Sequence, residues 1–264
     1  MHSSEPLYDH IGAGYNSTRQ ADPYLTAKLY RLLSARTDGA YIDIGCGTGN
    51  YTIALAEKGL NFFGIEPSEK MLAAAINRDS KVKWLKGEAE NLPVEDDCFD
   101  GGIATLTIHH WTDLHKAFVE IYRVLKRNAL LVIFTATSEQ MHGYWLNHYF
   151  PKMLEESVLQ MPSFETVSNA TAAAGFKIVG TEKYFIQDDL RDHFLYVGKN
   201  RPELYLDEKI RAGISSFSVL ANAVEVQNGL QQLRLDLDNG RCDEIKAGYE
   251  NDLGDYLFII LQKC

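Results

Sequence analysis

Three glycines fall within five residues, Gly45-Cys46-Gly47-Thr48-Gly49, directly after the apolar run Tyr41-Ile42-Asp43-Ile44. The chain then continues as Asn50-Tyr51-Thr52-Ile53-Ala54-Leu55-Ala56. The first run reads as a buried strand and the last as a helix. Glycines between them permit positive φ and let the backbone approach a ligand, while the helix start offers free N–H groups. Such a strand–loop–helix unit opens a doubly wound α/β domain. Its spacing narrows the ligand. The dinucleotide fingerprint G-x-G-x-x-G needs its third glycine at position 50, where Asn50 stands. Asp43 would repel a pyrophosphate but accept hydrogen bonds from an amino group. The loop therefore points to a nucleoside carrying an ammonium and no diphosphate. Glu66, 17 residues beyond Gly49, ends the next strand, where an acidic side chain takes both ribose hydroxyls.

The strand–helix alternation continues. Strands are predicted at Ala40 to Ile44, Asn61 to Ile65, Val82 to Leu85, Gly101 to Leu106 and Leu130 to Thr135. Helices fall between them, one running through Met71–Ala75 behind a Ser68 cap and an amphipathic one over Asp113 to Leu125. This order implies right-handed crossovers and a mostly parallel sheet. Residues 5–37 read as helical, with a start at Ala21-Asp22-Pro23. Residues 138–160 are aromatic and helix-like, 164–174 helical, 177–185 and 255–262 strand-like, and 188–235 mainly helical. The expected architecture is α/β: a doubly wound, mostly parallel seven-stranded sheet with a helical cap. Its expected parts are an N-terminal helical cover (1–37), a nucleoside-binding core (38–137) and an aromatic cap insert (138–163). The remainder of the sheet (164–264) carries a helical insertion at about 188–249.

Composition excludes several classes. With 264 residues, 45% hydrophobic and 23% charged, the chain is an ordinary globular one able to bury a large core. No apolar run approaches the ~18 residues of a membrane span. Met1-His2-Ser3-Ser4-Glu5-Pro6 has neither a basic nor an apolar region, so no signal peptide is read and the cytoplasm is expected. The formal net charge of −10, without a Lys/Arg cluster, argues against a nucleic-acid substrate. Cysteines 46, 98, 242 and 264 form no C-x-x-C pair, which suits a reducing compartment.

Taken together, Asp43-Ile44-Gly45-Cys46-Gly47-Thr48-Gly49 and Gly64-Ile65-Glu66-Pro67-Ser68 resemble the class I S-adenosylmethionine-dependent methyltransferases. Gly87-Glu88-Ala89-Glu90-Asn91-Leu92-Pro93, followed by Cys98-Phe99-Asp100, is similar to the pattern of their small-molecule branch, which includes the ubiquinone-biosynthesis and trans-aconitate-type enzymes. Ala104-Thr105-Leu106-Thr107-Ile108-His109-His110-Trp111 resembles that branch's segment after strand four. The resemblance covers roughly residues 8 to 137. It implies a Rossmann-like methyltransferase fold, S-adenosyl-L-methionine as cofactor and S-adenosyl-L-homocysteine as product. It further implies that Asp43 and the loop Gly45, Cys46, Gly47 and Gly49 hold the methionine end, with Thr105 beneath it. Glu66 would hold the ribose beside Pro67, Met71 would pack on the adenosine, and Glu88 and the Ala89 amide would face the adenine. Many relatives carry Asp where Glu88 stands, so the longer side chain shifts that contact. Tyr15-Asn16-Ser17-Thr18-Arg19 fits the Tyr-x-x-x-Arg helix that covers the cofactor in relatives, with Tyr15 and Arg19 on one helix face; an ordinary exposed helix is the alternative.

A sulfonium already activates its methyl group, so the protein must align an acceptor, exclude water and, for a protonated acceptor, supply a base. His109 and His110 follow strand four, at the carboxyl end of the sheet. His109 is the candidate base and His110 a substrate contact, unless one lines the pocket and the other packs beneath the helix. With His115 they suggest a metal, but no carboxylate or cysteine completes the spacing, so no metal is expected. Tyr144 and Trp145, with Tyr149 and Phe150, either wall a substrate pocket or form the core of the cap. The expected function is methyl transfer to a small-molecule acceptor by in-line displacement. The alternatives are a macromolecular acceptor, against which the missing N/D-P-P-Y/F motif speaks, and a nicotinamide-dependent oxidoreductase.

Overall fold

A computed structural model describes residues 18–79 and 81–264 of the chain. The expectation placed on Tyr15 lies outside them. Seven strands form one sheet: β1 (Ala40–Ile44), β2 (Asn61–Glu66), β3 (Lys83–Lys86), β4 (Phe99–Thr105), β5 (Leu125–Thr135), β6 (Phe176–Tyr184) and β7 (Tyr256–Lys263). Their order across the sheet is β3-β2-β1-β4-β5-β7-β6. Neighbours from β3 to β5 run parallel, whereas β7 lies antiparallel between β5 and β6. The winding reverses between β1 and β4. A crevice opens at the carboxyl ends of the strands on either side of such a switch point.

Alternation along the strands divides the core in two. In β5, Val132 and Phe134 face one apolar cluster and Leu131 and Ile133 the other. The first cluster is completed by helix Pro23–Leu32, helix Asn50–Ala56 and the segments above the sheet, and the second by helices Leu114–Val124 and Phe164–Ala173. The caps expected from sequence form: Asp22 accepts a hydrogen bond from Leu25 N at 2.9 Å, and Ser68 one from Met71 N at 3.2 Å.

Two stretches differ from expectation. β5 begins at Leu125 rather than Leu130, because five residues of β5 span what two cover on β4, with Asn128 at φ 66° in the offset. The polar run Lys126-Arg127-Asn128 hides that part of the strand from a hydrophobicity pattern. Residues 188–201 contain no α-helix; helical structure resumes with turn Pro202–Leu206, helix Glu208–Ala212, π-turn Ser216–Leu220 and helix Ala223–Asp238. Residues 188–201 are turns tied by side chains, Arg191 N donating to Asp22 Oδ2 at 3.1 Å and Lys199 Nζ to Asp255 Oδ2 at 2.8 Å. Among the described residues no helix is long and apolar enough to cross a membrane, and no cluster of His, Cys, Asp or Glu could hold a metal ion. The four cysteines are unpaired with one another.

Candidate functional site

The glycine loop is shaped by contacts its glycines alone allow. Gly45, Gly47 and Gly49 all have positive φ, at 72°, 56° and 79°. A Cβ on Gly45 would meet Thr107 Oγ1 at 2.0 Å and one on Gly49 the Trp84 indole at 2.4 Å, so both positions are closed to any side chain. A Cβ on Gly47 would meet nothing within 4 Å. That direction opens into a crevice of about 1660 Å³, mouth included, walled by the loop, Asp43, Glu66, Met71, Glu88 and Thr105 among others. Arg78 braces the loop from outside, donating to Thr48 O at 2.8 Å and Asn50 Oδ1 at 2.6 Å.

Two of the buried carboxylates lining the crevice, Asp43 and Glu66, stand beside the glycine loop. Glu66 Oε2 accepts from Gly47 N at 2.8 Å and Oε1 from Ser68 N at 2.9 Å, which fixes its plane against the loop. Asp43 Oδ2 accepts from Thr52 Oγ1 at 2.6 Å, but its Oδ1 is buried without a partner among the described residues. Burial pushes the Asp43 carboxyl up to about 7; the Thr52 hydrogen bond opposes the rise and nearby Glu66 adds to it. Thr105 Oγ1 is a second buried polar atom without a partner among the described residues. Buried polar atoms are normally satisfied, so both fit a ligand offering donors, as an aminoacyl ammonium does. Pro67, Met71, Glu88 and Ala89 line the same crevice, with Glu88 exposed and Ala89 buried. Cys46 is part of the loop wall, half-buried, and desolvation pushes its thiol well up. Glu90, overlooked in the sequence, holds the far wall: its Oε1 accepts from Thr112 N at 2.6 Å and Asp113 N at 3.1 Å, beside Trp111.

Arg19 closes the crevice by a route the sequence did not suggest. Its Nε donates to Asp192 Oδ1 at 2.5 Å, and Tyr51 hydroxyl donates to Asp192 Oδ2 at 3.0 Å. All three line the crevice. Asp192 sits in the irregular stretch where helix was expected, and nothing local in the sequence marks it.

A second cavity, about 740 Å³ with its mouth, adjoins the first beneath the cap. Arg19, Leu106 and His110 line both spaces. Leu106 holds φ 52°, a strained value for a leucine, at that junction. His109 lines only the second cavity, and its buried Nδ1 has no partner among the described residues. Desolvation lowers both imidazoles, His109 well below its usual value and His110 to about 4, so both are neutral at pH 7. Their rings lie 3.9 Å apart, centroid to centroid. Tyr144 lines this cavity, stacked on Tyr196 at 3.7 Å with its hydroxyl donated to Asp255 O. Trp145 does not. Its indole is buried in the cap between Tyr149 and Tyr205 and donates to Lys199 O at 3.1 Å, so the expected substrate contact is corrected to a packing position.

Known proteins bear on this geometry. The family described as "Methyltransferase domain" matches residues 42–133, from β1 into β5. Malonyl-[acyl-carrier protein] O-methyltransferase of Pectobacterium atrosepticum is 30% identical over 108 residues, 41% of this chain and 43% of that protein. The chain thus matches less than half the length of that relative. Demethylmenaquinone methyltransferase of Clavibacter sepedonicus is 26% identical over 200 residues, 66% of this chain and 82% of that protein. The solved structure of a methyltransferase assigned to an antibiotic biosynthesis pathway of Anabaena variabilis is 35% identical, covers 94% of this chain and 99% of its own, and superposes with a TM-score of 0.83. With a switch-point crevice, a G-x-G-x-G loop backed by two buried carboxylates and a near full-length relative, the chain belongs to the class I S-adenosylmethionine-dependent methyltransferases.

Proposed function

We propose that this chain transfers the methyl group of S-adenosylmethionine to a small organic acceptor held in the cavity under the cap. The observation that carries this reading is the shared wall: Arg19, Leu106 and His110 border both spaces, so two ligands filling them would meet there. Residues 38–137 serve as the cofactor-binding core, and residues 138–163 with the insertion at about 188–249 serve as the acceptor cap. Asp43 and the Gly45–Gly49 loop hold the methionine end, with its ammonium answering the unpartnered Asp43 Oδ1, and Thr105 lies against the same end. Glu66, already oriented by Gly47 and Ser68, takes the ribose hydroxyls. Met71, Pro67, Glu88 and Ala89 bound the adenine, and Arg19 closes over the cofactor.

Bound S-adenosylmethionine supplies a methyl group activated by its sulfonium. The protein aligns the acceptor in line with the bond to be broken and keeps water out. Of the two histidines, His110 borders both ligand spaces, and we assign it the acceptor proton; His109, the base expected from sequence, flanks it on the acceptor side. An imidazole near pKa 4 is a weak base at pH 7, by roughly 1.4 kcal/mol for each unit. It suffices for an oxygen whose acidity rises sharply as the methyl arrives. A cleft closed by a cap and one small cavity favours a small molecule over a macromolecular acceptor. Calorimetry with S-adenosylhomocysteine tests the core of the reading. Asp43→Ala and Glu66→Ala each weaken binding by about tenfold or more; near-native affinity in both variants rejects this site.

A further inference from the structure

Resting on the preceding assignment of the second cavity, we propose that the acceptor is an uncharged, largely apolar hydroxyl compound, phenolic or enolic, and that charged analogues of it are refused. Among the described residues, the lining carries no aspartate, glutamate or lysine. Its one formally charged side chain, Arg19, is ion-paired at 2.5 Å with the buried Asp192, which consumes its charge. An ammonium entering here meets no anion of the described lining, and a carboxylate or phosphate meets no unneutralised cation of it. Burying either without a partner is strongly unfavourable.

The remaining wall is apolar: Met141, Tyr144, Phe194, Ile214, Val219 and Leu220 surround the space. The tyrosine hydroxyls are engaged with the protein: Tyr144 donates to Asp255 O, and Tyr256 accepts from Tyr196 N at 3.2 Å. Among the described residues, polar side chains gather on two walls. Beyond β4 stand the two neutral imidazoles; on the cap, Ser157 Oγ meets Ser216 Oγ at 2.9 Å beside Gln160 and Ser215. Neutral groups of this kind hydrogen-bond a hydroxyl but do not neutralise an ion. At the histidine wall the acceptor O–CH3 bond forms as the S–CH3 bond breaks. The bonding pair stays with sulfur, and the hydroxyl proton passes to His110 and then to solvent.

The test uses the whole protein saturated with S-adenosylhomocysteine, titrated calorimetrically at pH 7 with four compounds of one skeleton: 2-naphthol, 2-naphthoate, 2-naphthyl phosphate and 2-naphthylmethylammonium. The expected result is 2-naphthol bound at least about tenfold more tightly than each charged compound. Equal or tighter binding of any charged compound overturns the proposal, as does no measurable binding of 2-naphthol. Ile214→Phe, and independently the partly exposed Val219→Trp, fill the cavity; each should weaken 2-naphthol at least about tenfold while leaving S-adenosylhomocysteine affinity within about twofold. Unchanged 2-naphthol affinity in both places the probe elsewhere and overturns the assignment. If S-adenosylhomocysteine itself does not bind the native protein, it is the broader reading that fails, before any acceptor is added.

Discussion

Arg19 and Asp192, 173 residues apart in the chain, meet as an ion pair of 2.5 Å at the edge of the crevice beside the glycine loop, with the carboxylate side chain 1% and the guanidinium 15% exposed. Tyr51, from the helix that follows the glycine loop, donates its hydroxyl to the same carboxylate. One buried aspartate thus joins the chain before the first strand, the loop helix and the segment after β6. Removing it takes this shared carboxylate from the Arg19 guanidinium and the Tyr51 hydroxyl. Asp192→Ala is expected to cost about 3–5 kcal/mol in urea unfolding and to weaken S-adenosylhomocysteine binding, whereas Arg19→Met with Asp192→Leu recovers most of the stability but not the affinity. Full stability in the single variant would show that the pair is dispensable.

Asp43 predicts a pH dependence with opposite signs for binding and for folding. Its carboxyl, raised to about 7 by burial, is largely protonated at pH 5 and cannot then pair with an ammonium. Affinity for S-adenosylhomocysteine should rise by up to about tenfold per unit towards pH 7 and level off above it. The folded protein holds this proton more tightly than the unfolded chain does. Unliganded stability attributable to Asp43 is therefore complete below the unfolded value near 3.8, and falls as pH rises towards 7. Asp43→Asn should gain roughly a few kcal/mol of unliganded stability at pH 8, gain little at pH 3.5, and lose the pH-dependent part of binding. Chemical unfolding and calorimetry across this range check both limbs.

Gly45 and Gly47 share a left-handed backbone but not a neighbourhood. Gly47→Ala incurs about 1–2 kcal/mol of backbone strain and puts its methyl into the open crevice, so ligand affinity suffers more than stability. Gly45→Ala carries the same strain plus a Cβ at 2.0 Å from Thr107 Oγ1, and should lose a further ~1–3 kcal/mol of stability. Melting temperatures with and without S-adenosylhomocysteine separate the two; equal loss of stability in both would contradict this geometry.

The histidine pair acts on stability in the opposite sense to Asp43, favouring the unfolded chain in acid. Both imidazoles resist protonation in the folded state, so the unfolded chain binds protons first as pH falls below 6.5. Stability is lost through that window, continuing for His110 to about 4, where its share reaches roughly 3 kcal/mol. His110→Gln should flatten the unfolding profile between pH 6.5 and 4. It should also lower the rate of methyl transfer at pH 7 by about 10²–10⁴-fold with little effect on S-adenosylhomocysteine affinity. An unaltered rate would remove His110 from the reaction.

Much of the glycine-loop side of the crevice was legible because its determinants are local. The positive-φ requirement at Gly45, Gly47 and Gly49 is written as glycine, the end of β2 as Glu66, and the strand alternation as short apolar runs. Cap residues were harder to assign. Tyr144 and Trp145 are adjacent and chemically alike, yet Tyr144 lines the cavity while Trp145 is buried in the packing behind it. No pattern of period 2 or 3.6 separates two neighbours in a short turn.

The sequence by itself determined the strands of the sheet, the glycine loop after β1 and the acid that ends β2, since each depends on residues within a few positions of one another. Tertiary structure alone decided what lies over that site: the Arg19–Asp192–Tyr51 junction, the neutral lining of the second cavity and His110 at the wall the two spaces share. Those features arise where segments distant in sequence are brought together by burial. The strength of a charge there depends on how completely its neighbours exclude water, a property no short stretch of residues carries.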